Sequence, residues 1–200
     1  MKKTVLFSFL FLMSFSFVFS QEKQDSLRVK TNPIFFTGMN LGYVTGGLKG
    51  LHASFDINYQ LKNNLVTFKY ATITDLKIGI LFFVPIPKIN SATEQFSLLF
   101  GKRYVVDGFS YHFSGGISYN STRDGKIDKR YNYFGFPIEI GTHWFHSKKK
   151  RFRVMYGLIP VGKPTGFGRS FGIKLHANIA KKSYVGLGLN LNLGWHKKYK

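Results

Sequence analysis

Across residues 51–60 apolar and polar side chains alternate without a break. Leu51, Ala53, Phe55, Ile57 and Tyr59 hold the odd positions, and His52, Ser54, Asp56, Asn58 and Gln60 the even ones. The same two-residue period returns in residues 109–120 and 185–195. Such a period belongs to strands whose two faces see different surroundings. Strands of about ten residues with one greasy and one wet face suit a wall between lipid and a polar interior.

Turn chemistry divides the rest of the chain. Lys62-Asn63-Asn64 joins residues 50–60 to 65–73, since Asn tolerates positive φ. Val106-Asp107-Gly108 joins residues 95–104 to 109–120, with Asp-Gly a strong hairpin signal. Residues 132–144 turn through His146-Ser147-Lys148 into 151–158, although Pro137 cannot donate to a ladder. Residues 169–178 pass through Ala180-Lys181-Lys182-Ser183 into 184–195. The expected fold is all-β, a closed antiparallel up-and-down transmembrane β-barrel of eight strands occupying residues 48–200. Residues 21–47 read as an N-terminal arm or an extra strand, with 33–43 a ninth strand and 76–84 a tenth strand or a loop. A ten-stranded barrel is therefore the alternative. If the first strand leaves the periplasm, this assignment puts the short turns at 62–64 and 180–183 outside the cell, against the usual placement of short turns.

The N-terminus supplies the compartment. Lys2 and Lys3 precede an uncharged run, residues 5–19, rich in Phe and Leu. It is shorter than the span of about 20 residues that a membrane helix needs, and it reads as a signal peptide, residues 1–20, cleaved near Ser20-Gln21. Without it the formal charge falls from +20 to +18, because the segment carries two lysines and no acid. A charge of this size calls for an anionic partner. An exported chain without a nucleic-acid-binding motif points away from nucleic acid and toward lipopolysaccharide phosphates and anionic headgroups. The absence of cysteine excludes disulfides and a lipidated-cysteine anchor. The composition, with 22 Phe, 11 Tyr and 21 Gly, favours strands.

In a barrel, the apolar phase faces lipid. Tyr59, Tyr104, Tyr119, Trp144, Tyr184 and Trp195 fall near strand ends, where interfacial aromatics sit. The lumen phase carries His52, His112, His143 and His176 and a charge network of Asp56, Lys69, Arg103, Glu139, Arg153 and Lys174. Eight strands enclose a space just filled by side chains, so these charges must pair with one another. They form a structural plug in this reading, with no water-filled pore.

Three stretches carry a resemblance. Ser97-Leu98-Leu99-Phe100-Gly101, Phe134-Gly135-Phe136-Pro137-Ile138-Glu139-Ile140-Gly141 and the run from Lys181 to Gly194 resemble the small outer-membrane β-barrel proteins of the Bacteroidetes type, over most of residues 48–195. That family is of largely undefined function. The resulting expectation is a barrel of a Gram-negative outer membrane, inserted by the barrel-assembly machinery, with a structural, membrane-organising or surface-interaction role, not an enzyme. Two other readings stay open. His112, Ser114 and Glu139, or His52, Ser54 and Asp56, could act as base, nucleophile and orienter, an arrangement similar to that of outer-membrane lipid A deacylases, although Gly115 or Phe55 replaces the asparagine that follows the serine there. A soluble ligand-carrying barrel of the periplasm would show the same alternation inverted. No cofactor or metal is expected. Residues 157–163 imitate a phosphate loop, but Pro164 replaces its Ser or Thr, and residues 124–128 lack calcium-ligand spacing.

Overall fold

A computed structural model describes residues 32–81, 84–124, 129–155 and 158–199. The signal-peptide assignment, residues 1–20, lies outside them. Ten strands follow in order: β1 Ile34–Gly46, β2 Gly50–Leu61, β3 Asn64–Leu81, β4 Val84–Val106, β5 Phe109–Asp124, β6 Lys129–Phe145, β7 Lys150–Val154, β8 Ile159–Thr165, β9 Phe167–Ala180 and β10 Tyr184–Trp195. Eight of them close an antiparallel up-and-down barrel in the order β1-β10-β9-β6-β5-β4-β3-β2, and β7 and β8 form a separate two-stranded sheet.

The strand count matches the expectation, but its membership does not. Residues 151–158 are not a wall strand, because β7 pairs only with β8 and β6 pairs directly with β9, setting Glu139 against His176 and Ile140 against Leu175. The missing strand is β1, expected as an arm or ninth strand, which pairs with β10 through Phe35↔Trp195 and Thr45↔Val185 and with β2 through Leu41↔Ala53. Alternation cannot tell a wall strand from one arm of a projecting hairpin, since both are strands with two unlike faces. Residues 76–81 continue β3 and Val84 begins β4, with Leu81 opposite Val84, so among the described residues this stretch lengthens one hairpin instead of adding a tenth wall strand.

Local chemistry explains the turns. Lys62 and Asp107 take left-handed backbone conformations, φ 55° and 50°, in two-residue hairpin connections. In the first, the left-handed residue is Lys62, while Asn64 already belongs to β3. Opposite Pro137 the β5–β6 register breaks, running to Gly115↔Ile138 and resuming at Ser118↔Gly135. A proline has no N–H for the ladder.

The pleat puts apolar side chains outside. On β10, Val185, Leu187, Leu189, Leu191 and Leu193 point outward, and Asn190 and Asn192 are buried. Phe55, Phe68, Phe100, Phe113, Phe134, Ile140 and Phe171 continue the outer belt on other strands. Small apolar clusters plug the two ends of the interior. Ile34, Phe36 and Leu65 lie at the end where β1 begins and β10 finishes, and Val44, Leu48, Ile73 and Tyr184 at the opposite end.

Candidate functional site: the packed lumen

Between these plugs the lumen is polar. Asp56 on β2 and Lys69 on β3 are register neighbours, so the simplest pairing would be with each other. Instead, each lysine crosses the barrel. Lys69 Nζ donates to Glu139 Oε1 on β6. Lys174 Nζ on β9 donates to Asp56 Oδ2 at 2.6 Å and lies 3.7 Å from Glu139 Oε2. Two ammonium and two carboxylate groups therefore balance while joining opposite walls. All four side chains are at most 3% exposed, and pairing offsets the large cost of removing such charges from water. Asp56 Oδ1 also accepts from Asn58 Nδ2 at 2.5 Å, and Asn58 Oδ1 accepts from Thr67 at 2.7 Å.

Arg103 stands apart from this quartet. Its Nη1 donates to Gln60 Oε1 at 2.7 Å and to the His196 carbonyl at 2.8 Å, and its Nη2 donates to Ser110 Oγ at 2.9 Å. Its guanidinium carbon lies 4.8 Å from the Phe36 ring centroid and 5.7 Å from that of Phe145. Neutral acceptors and ring faces hold this cation, which suits a delocalised guanidinium. Arg153 lies on β7, outside the closed barrel, and so does not belong to the lumen.

Four lumen histidines form two ring pairs, one tilted and one stacked. The rings of His52 and His176 lie 4.1 Å apart, and those of His112 and His143 lie 5.1 Å apart. Gly141 makes room for His112, since a Cβ there would fall 2.4 Å from its Cε1. Neither serine set is assembled for nucleophilic chemistry. Ser114 Oγ and His112 Nδ1 are buried without hydrogen-bond partners, and Glu139 is engaged by lysines. Ser54 Oγ and both nitrogens of His52 are likewise unpartnered.

The aromatic residues divide. Tyr59, Tyr119 and Trp144 are exposed on the outer surface, and Tyr104 and Trp195 are half-buried there, with Tyr104 stacked on Tyr111 at 5.3 Å. Tyr184 is not an interfacial residue. It sits on the lumen phase of β10, 3% exposed, and its hydroxyl donates to Gln95 Oε1.

Sequence reasoning missed His196 and Tyr199, which lie beyond the last alternating segment. His196 is buried against Phe36 and Phe145, with ring separations of 5.2 and 5.3 Å, and its Nε2 lies 3.2 Å from the Gly168 carbonyl. That burial and the nearby Arg103 lower its pKa to about 4, against the rise favoured by Gly168. Tyr199 Oη donates to the His146 carbonyl at 2.8 Å. The alternation stops at Trp195, so no periodic signal marks either residue.

The barrel has counterparts among solved structures. It superposes on the N-terminal β-barrel domain of Pseudomonas aeruginosa OprF with TM-score 0.52 and 11% identity, over 82% of this chain and 98% of that one. On Neisserial surface protein A (NspA) the TM-score is 0.51 at 10% identity, over 83% and 99% of the two chains. The shared property is the fold, that of small outer-membrane barrels. No protein-family model and no curated protein matches the sequence.

Proposed function

We propose that the chain is an integral outer-membrane β-barrel of a Gram-negative bacterium, of the Bacteroidetes type, with a structural, membrane-organising or surface-interaction role. The observation that carries this reading is the inversion of polarity. Leu189 is 55% exposed and its neighbour Asn190 is fully buried, and this contrast repeats around the wall. A soluble ligand-carrying barrel needs the opposite arrangement. Residues 1–20 direct export and are removed near Ser20-Gln21, the barrel-assembly machinery inserts the remainder, and lipopolysaccharide phosphates meet part of the cationic surface. The unpartnered Ser114 and Ser54 favour a non-enzymatic role.

The topology also supports an orientation. Phe35 pairs with Trp195, so both ends of the barrel sequence lie together, and the two-residue turns after β2 and β4 lie at that same end. At the other end β3 and β4 run on beyond the Leu51↔Thr74 pair. Two short turns share one end with the start of β1 and the finish of β10, which supports assigning that end to the periplasm, and the extended β3–β4 hairpin supports the opposite end as the outer one. With β1 as the first strand, the 62–64 turn falls at the periplasmic end, whereas 180–183 and the three-residue 47–49 connection are short turns at the outer end.

Membrane fractionation of expressing cells, followed by gels of heated and unheated samples, tests the reading. The expected result is an outer-membrane protein whose mobility shifts on heating. Recovery in the soluble periplasmic fraction with no heat-dependent shift overturns it.

A further inference from the structure

The 21-residue connection between β6 and β9, residues 146–166, departs from the short turns on its end of the barrel. From His146 to Arg169 the chain contains seven Lys and Arg residues and no Asp or Glu. A cavity of about 760 Å³ opens beneath the β7–β8 hairpin, and Lys148, Lys149, Lys150, Arg151 and Arg169 line it. Tyr199 closes one side, held by its bond to the His146 carbonyl and seated on Gly166, where a Cβ would fall 2.1 Å from the ring. The concavity is thus built by packing, and its lining carries positive charge without a carboxylate.

The hairpin's far end has the opposite chemistry. Leu158 N donates to the Met155 carbonyl at 3.1 Å to form the turn, and Met155, Leu158, Ile159 and Val161 are all exposed, Leu158 by 77% and Met155 by 66%. Neighbouring apolar side chains on a projecting tip gain by entering a non-aqueous phase. The hairpin's root is placed for this. Its two ends continue into Trp144 on β6 and Phe167 on β9, Trp144 stacks on Phe171, and Phe167 meets Trp195 edge-on at 5.2 Å. Such aromatic rings mark the headgroup level of a barrel wall.

We infer that the β7–β8 hairpin is a lipid-binding appendage, in which the cationic cavity takes the phosphate of an anionic glycerophospholipid and the apolar tip enters the adjoining acyl region. Charge complementarity selects the anion, and the exposed tip selects a lipid over a soluble phosphate. Basic residues behind an apolar surface form the usual pattern of interfacial membrane attachment. The inference rests on the barrel's residence in a membrane. With the start of β1 and the finish of β10 in the periplasm, the leaflet concerned is the periplasmic one.

The chain's lack of cysteine allows a direct test. Leu158→Cys carries an environment-sensitive fluorophore, and the labelled protein is placed in nanodiscs of phosphatidylcholine, or of phosphatidylcholine with about one lipid in three replaced by phosphatidylglycerol. Heat-dependent gel mobility scores barrel insertion independently in both. The expected result is a blue-shifted, brighter label only with phosphatidylglycerol, weakened by salt. In Lys148→Ala/Lys149→Ala/Lys150→Ala/Arg151→Ala, about tenfold more phosphatidylglycerol should be needed for the same response. Pyrophosphate added to phosphatidylcholine nanodiscs should leave the label unchanged. Insertion with equal emission in both lipids, or an unaltered response in the substituted protein, overturns the inference alone. A response to pyrophosphate equal to that to phosphatidylglycerol also overturns it in favour of a soluble phosphate site. Failure to insert overturns it together with the membrane reading.

Discussion

Glu139→Gln isolates the energetics of the lumen quartet, because it removes one charge with little change of shape. In the native barrel Lys69 and Lys174 face Asp56 and Glu139, two positive charges against two negative. The substitution leaves both ammonium groups with one carboxylate. Lys174 keeps Asp56 at 2.6 Å, so Lys69 is the group left without an anion at 1% exposure. Removing one member of a buried pair costs about 3–5 kcal/mol. Lys69→Met added to Glu139→Gln restores neutrality around the surviving Lys174–Asp56 bridge with a side chain of similar length. The double variant should therefore be more stable than Glu139→Gln alone, by about 2 kcal/mol or more, a coupling of the size expected between contacting residues. Urea titration of the folded fraction in lipid vesicles, read by heat-dependent mobility, measures both values. A double variant no more stable than the single, or a single variant unchanged within about 0.5 kcal/mol, refutes the argument that the quartet is held by charge balance.

Three further outcomes follow from the same geometry. Leu189→Arg should lose about 2–4 kcal/mol in bilayers and much less in small detergent micelles, whereas Asn190→Leu should lose about 1–3 kcal/mol in both, because it removes bonds to Asn192 and His143 inside the wall; equal medium dependence at the two sites would sink the assignment of faces. His196 has a pKa lowered to about 4 from 6.5, so the folded state binds fewer protons between those values. The stabilisation should be complete above pH 6.5, decline as pH falls toward 4 and amount to about 3 kcal/mol in all; unfolding titrations of wild type and His196→Gln should differ in slope over that window, and parallel curves would contradict the buried neutral imidazole. For orientation, an impermeant maleimide on intact cells should label Lys181→Cys and spare Lys149→Cys, and the reverse pattern would turn the barrel over.

Much of the wall was legible because a two-residue period records a difference in solvent directly. Residues 51–60, 109–120 and 185–195 alternate so cleanly that both strand and face follow from the chain alone, as do the turns at Lys62-Asn63 and Asp107-Gly108. The polar phase likewise nominated Asp56, Lys69, Arg103, Glu139 and Lys174 as interior charges, since each falls in step with the polar positions of its strand.

Other features depend on which strands become neighbours. The alternation of residues 151–158 is compatible with wall or hairpin, and only the direct β6–β9 ladder leaves β7 outside and requires β1 to close the ring. Register made Asp56 and Lys69 adjacent, yet the bridges run across the lumen, because a lysine is long enough to reach the far wall and a filled interior brings that wall within reach. Tyr184 shows the same division. Its place at a strand end could be read from the chain, but its pairing with Gln95 inside the barrel exists only after closure. A sequence period reports the environment of each face locally, while partners within a face are set by the curvature and closure of the whole sheet.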